Sequence, residues 1–99
     1  MFFMVTHMYP TKSTAEVAKV AVGVLAKAPP PYVKRLGQYI TAGSDGFKTY
    51  ALYEIEKGHV EEGFKELNKR LVPWFNIEGW KFTVEPLMTP EEAIPMLGL

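Results

Sequence analysis

Histidine is the side chain best suited to moving protons near neutral pH, because its unperturbed pKa lies near 6.5, and this chain has two. His7 sits inside the run Phe2-Phe3-Met4-Val5-Thr6-His7-Met8-Tyr9, where burial would lower its pKa and favour the neutral, base-competent form. The competing reading is a core histidine whose two ring nitrogens are satisfied by a backbone carbonyl and a tyrosine hydroxyl, the commoner fate of such a residue. His59 follows Gly58 at the start of a helical pattern, where a cation meets the positive end of the helix dipole; it reads as neutral and exposed. Neither histidine has a matched carboxylate pair at metal-ligand spacing, and without cysteine no thiolate zinc or iron–sulfur site can form. No metal and no cofactor is expected.

The aromatic set Tyr39, Tyr50, Tyr53, Trp74 and Trp80 could line a flat cleft for an aromatic or polycyclic molecule, with tyrosine hydroxyls orienting a carbonyl; otherwise these residues are core. The candidate ligand-binding residues are Arg35, Tyr39, Tyr53 and Trp74, with His7 as the candidate catalytic base. Simple alternation places Arg35 and Tyr39 on one face of a strand. There Arg35 either supplies a fixed positive charge to a carboxylate or enolate, or is solvated at an edge. Glu54, Glu56, Glu61 and Glu62 alternate with lysines and read as a solvated face. Gly43-Ser44-Asp45-Gly46 lacks the following Lys-Ser or Lys-Thr of a phosphate loop.

Ninety-nine residues fit one domain spanning 1–99. Eleven basic and eleven acidic residues cancel, leaving no electrostatic footprint for nucleic acid or an anionic membrane. The N-terminal apolar run lacks a basic lead and is too short for a signal peptide or a membrane span, so a cytoplasmic, soluble chain is expected.

Residues 2–9 have no helical period and end at Pro10, so they read as a strand. Ser13-Thr14-Ala15-Glu16 then has capping-box spacing, and Val17, Val20, Ala21, Val24, Leu25 and Ala28 follow along one helical face, stopped by the prolines at 29–31. Val33 to Ala42 and Phe47 to Ile55 form a hairpin across a four-residue turn, Gly43 to Gly46. Val60, Phe64, Leu67, Leu71 and Trp74 mark a second helix, ended or kinked by Pro73. Trp80 to Met88 is a fourth strand, and Thr89-Pro90-Glu91-Glu92 starts a short C-terminal helix.

The order β-α-β-β-α-β is the ferredoxin-like pattern of an α+β fold, with two helices on one face of a four-stranded antiparallel sheet. Right-handed crossovers put the first and third strands in the middle and the second and fourth at the edges. The first strand, apolar on both faces, and the fourth, apolar on one, fit those places. The uncovered face would carry about six large apolar side chains, on the order of 600 to 800 Å². Burying it is worth roughly 15 to 20 kcal/mol against an association cost of about 4 to 15 kcal/mol, so a homodimer through the sheet face is expected. The tail Met96 to Leu99 could cover a remaining patch on either subunit.

On these residues, the two-faced strand FFMVTHMYP and the closing segment WFNIEGWKFTVEPLMTPEEA, the chain resembles the dimeric α/β-barrel superfamily. It looks most like a group of short prokaryotic proteins of unknown function with a Phe-Met-Val-Thr run in the first strand and a Phe-x-Val-x-Pro strand, here Phe82 to Pro86. The resemblance implies a homodimer with a cleft between the sheet and its own helices. It also implies one of several activities, cofactor-independent monooxygenase and isomerase among them. The haem degraders of that superfamily carry an Asn on the first strand where this chain has Thr6 and His7. A non-catalytic ligand-binding or structural dimerisation module is the alternative.

Overall fold

The computed structural model describes residues 1–99. Along the chain run β1 (Phe2–Tyr9), α1 (Thr14–Leu25), β2 (Val33–Gly43), β3 (Gly46–Ile55), α2 (Val60–Lys69), β4 (Lys81–Leu87) and α3 (Pro90–Met96), with 3-10 turns at Thr11–Ser13 and Val72–Trp74. The four strands form one antiparallel sheet in the order β2-β3-β1-β4, which puts β1 and β3 in the middle. None of the helices is long and apolar enough to cross a membrane.

Directly opposed residues of an antiparallel pair point to the same face, and the register therefore sorts the sheet. Val5 faces Ala51 and Val84, and His7 faces Thr49 and Phe82. This is the helix side, where Phe3, Val5, Tyr9, Ala51, Tyr53 and Ile55 are buried together with Leu67, Leu71 and Trp74. The other side carries Phe2, Met4, Met8, Tyr50 and Leu52, all half-buried, beside the buried Thr6, with neither α1 nor α2 above them.

The two helices cover the sheet differently. α2 lies close: an added Cβ at Gly63 would come within 2.5 Å of Ile55 Cγ2, so only a glycine permits this approach, and Ile55 is sealed to 0% exposure. α1 presents Val17, Ala21 and Val24 to the sheet, yet only Val17 is buried. These side chains are too short to fill the gap below the helix.

Several local details depart from simple sequence rules. Ser13 does not cap α1; its hydroxyl donates to the Glu78 carbonyl at 2.7 Å, tying the helix start to the loop before β4. α1 stops at Leu25, short of Ala28. The hairpin is tighter than a four-residue turn, because Gly43 pairs with Gly46 and only Ser44 and Asp45 lie beyond the ladder. A β-bulge between Arg35 and Gly37 inserts Leu36 into β2, which resets the alternation. Pro73 falls in the 3-10 turn after α2. The capping box at α3 forms in full: Glu92 N–H donates to Thr89 Oγ1 at 3.3 Å, and Thr89 N–H donates to Glu92 Oε1 at 3.1 Å.

Candidate functional site

The gap beneath α1 is a cavity of about 490 Å³ between the helix side of the sheet and the two helices, and most of its lining residues are hydrophobic. That volume lies within the range of small-molecule sites. Val5, His7 and Tyr9 of β1, Thr49, Ala51 and Tyr53 of β3, and Trp74 supply its sheet-side walls. Its location follows from the packing contrast. α2 is drawn onto the sheet by Gly63, whereas the Trp74 ring lies beneath the first turn of α1 and donates its indole N–H to the Val17 carbonyl at 3.2 Å.

His7 occupies one end of this space, among aromatic rings. Trp74 meets it edge-on with centroids 4.7 Å apart, and Trp80 lies 5.6 Å away. Trp80 stacks in turn on Phe82 at 5.0 Å, and Phe75 packs against both. Trp80 also fixes the chemistry of the imidazole, because its Nε1–H donates to His7 Nδ1 at 3.1 Å. An indole nitrogen can only donate, so Nδ1 must keep its lone pair and the proton of the neutral ring resides on Nε2. Burial lowers the His7 pKa to about 4, so the ring is neutral at physiological pH. Nε2–H points away from Trp80, has no partner in the protein, and is not a sealed-off orphan.

This arrangement sets the tautomer of the neutral ring. A base at Nε2 would require the lone pair there and the proton on Nδ1, facing the indole N–H donor. As built, His7 is a neutral hydrogen-bond donor. The other polar atoms of the walls are largely internal: Tyr9 Oη and Thr49 Oγ1 are 3.2 Å apart and satisfy each other. No Asp or Glu lines the cavity, and no cluster of three or more His, Asp or Glu side chains is placed to hold a metal ion.

Of the candidates read from sequence, His7, Tyr53 and Trp74 converge on the cavity. Arg35 and Tyr39 do not. The bulge at Leu36 breaks their shared parity: Arg35 opposes Tyr53 on the helix side and is exposed, while Tyr39 opposes Tyr50 on the open side and is 67% exposed. After the bulge it is Gln38 and Ile40 that face the cavity. Arg70 also lines it, and its signal was present, since it lies three residues after Leu67 and four before Trp74 on the buried stripe of α2. The Trp80 bond to His7 spans 73 residues and has no local signature. His59 stacks on Tyr32 at 4.7 Å at the N-terminal end of α2, with Glu62 3.6 Å from Nδ1, beyond hydrogen-bond reach.

No protein-family model matches the sequence, and no curated protein matches it. Among solved structures it is similar to that of a DUF3240 family protein from Shewanella baltica, with 7% identity over 89% of this chain and 91% of that one and a TM-score of 0.33.

Proposed function

We propose that this chain is a ferredoxin-like domain of the dimeric α/β-barrel type that binds a small apolar or aromatic molecule between its sheet and α1. The observation that carries this reading is a largely apolar cavity ending in an imidazole that Trp80 holds as an Nε2–H donor. A carbonyl, phenol or oxyanion of the ligand is the group such a donor suits. A filled, purely structural cleft fits poorly with about 490 Å³ of space beside His7.

A second reading keeps the same ligand and adds a reaction, as a cofactor-independent monooxygenase or isomerase. What favours it is the same donor: a preorganised N–H aimed at developing negative charge is an oxyanion-stabilising device. In that case His7 holds an enolate oxygen instead of removing the proton. With no carboxylate in the walls to serve as base, binding without turnover is the better supported of the two.

The two tryptophans of the chain both lie against His7, so intrinsic fluorescence should report occupancy. Titration with an aromatic ketone such as 2-acetylnaphthalene should give a saturable change. His7→Phe should weaken binding about tenfold, the value of one lost hydrogen bond. The absence of any saturable change across a panel of aromatic ketones and phenols would remove the proposal.

Dimerisation through the open face belongs to the same reading. Phe2, Met4, Met8, Tyr50 and Leu52 lie there uncovered by α1 or α2, and Ile94, Met96, Leu97 and Leu99 stand exposed on the C-terminal arm. The radius of gyration is 14.9 Å against about 13 Å for a compact chain of this length, as a protruding hairpin and arm require. Sedimentation should show a dimer, and Leu52→Lys should yield a folded monomer. A wild-type monomer at high micromolar concentration would contradict this part.

A further inference from the structure

Arg70 is the only formally charged side chain lining the cavity. It caps the C-terminal end of α2 and reaches across the gap between the helices, donating Nη2–H to the Val24 carbonyl in the last turn of α1 at 3.2 Å. That bond uses one of the five N–H groups of a guanidinium. Arg70 is half-buried, and the ion pairs of the molecule lie elsewhere, on Lys12, His59, Lys65 and Lys69, with Glu66, one turn before Arg70, paired to Lys69 at 3.9 Å. Taking a guanidinium partly out of water without a counter-charge is unfavourable, and here the surface that removes the water is the wall of a cavity.

The position of Arg70 relative to His7 is set by α1. Trp74, in contact with His7, bonds the carbonyl of Val17, and Arg70 bonds the carbonyl of Val24. Seven residues of helix separate those carbonyls, about 10 Å at 1.5 Å per residue. The cavity therefore has a cationic fork at one end, a neutral N–H donor at the other, and apolar walls between. We infer that its ligand is an apolar carboxylate, aryl or short-chain, whose anionic head pairs with Arg70 at the α1–α2 mouth while its body extends toward His7. This rests on the cavity-binding reading above and specifies its ligand class. A planar fork accepts a carboxylate through two parallel N–H···O bonds, and no acidic side chain in the walls opposes it.

The test uses two probes of matched shape, 2-naphthoate and 2-naphthamide, titrated calorimetrically into the full chain at pH 7.5. The acid should bind about tenfold or more tighter than the amide, as a charge-assisted bidentate pair requires. In Arg70→Gln the advantage of the acid over the amide should disappear. Arg70→Lys, which keeps the charge and loses the fork, should fall between. Equal affinities in the wild type would overturn the carboxylate assignment and reduce Arg70 to a helix cap, while leaving the cavity as a binding site. An acid preference that persists in Arg70→Gln would overturn the role of Arg70. Binding of neither probe would overturn this inference and, together with a failed ketone titration, the cavity reading beneath it.

Discussion

The two helices lie over the same face of one sheet and use it in opposite ways. Under α2 the backbone at Gly63 approaches Ile55 so closely that no Cβ fits and Ile55 has no exposed surface. Under α1 the inward side chains are Val and Ala, the first turn rests on the Trp74 indole, and the space beneath stays open. Stability is concentrated where a residue with no side chain lets a helix come down. Open space sits where a residue with the largest side chain lies beneath a helix. Each half uses size at a single position to set the helix-to-sheet distance, and the division of labour follows from it.

That contrast can be broken from the closed side first. Ile55→Ala should cost about 2 to 5 kcal/mol, toward the upper part of that range because Gly63 has no side chain that could relax into the void. Denaturant unfolding measures it, and a cost below 1 kcal/mol would show that the α2 half is no tighter than the α1 half.

The second expectation concerns pH, and its sign follows from which state binds more protons. The His7 pKa is lowered by burial to about 4 in the folded chain, against about 6.5 unfolded. Between those values the unfolded state holds the extra proton, so stability falls as pH falls from about 6.5 to about 4 and is unaffected by His7 above that window. The full loss is about 3 kcal/mol. His7→Phe should flatten the wild-type slope in that window, as read from unfolding curves at closely spaced pH values. A slope shared by both proteins would assign it to the carboxylates instead.

The smallest effect is expected on the open side. Ala21→Leu adds side chain into the cavity, so it should leave stability unchanged or raise it by up to about 2 kcal/mol, as cavity-filling changes do. It should nonetheless abolish the fluorescence response to 2-acetylnaphthalene. A destabilised variant would mean that the space beneath α1 is already filled by packed side chains.

Much of this arrangement was readable in the residues. The apolar spacing of β1, the helical stripes and the Thr89–Glu92 capping box are local signals, and local signals survive folding. The alternation of β1 tied His7 to the parity of Phe3, Val5 and Tyr9, and therefore to whichever face the helices took. What could not be read arises from contacts between distant segments or from irregular backbone. The Ser13 hydroxyl, placed by spacing in a capping box, found the Glu78 carbonyl instead, a choice made by tertiary approach. The Trp80 bond that fixes the tautomer of His7 links the first strand to the loop before the last. Arg35 and Tyr39 were misassigned to one face because period-two counting fails at one extra residue; Gly37, beside Leu36, is the residue type that marks such a bulge inside a strand.

That extra residue has a further consequence for the chain in crowded solution. β2 is an edge strand of 11 residues, and its outer row of backbone N–H and C=O groups could recruit a strand from another molecule. A regular edge of this length is a template for such growth. The bulge at Leu36 interrupts the row partway along and increases the local twist, and it stands beside Lys34 and Arg35, both exposed. An incoming strand would lose register at the bulge and meet two positive charges just before it. The irregularity that defeats simple alternation thus also shortens the regular stretch of edge that another strand could pair with.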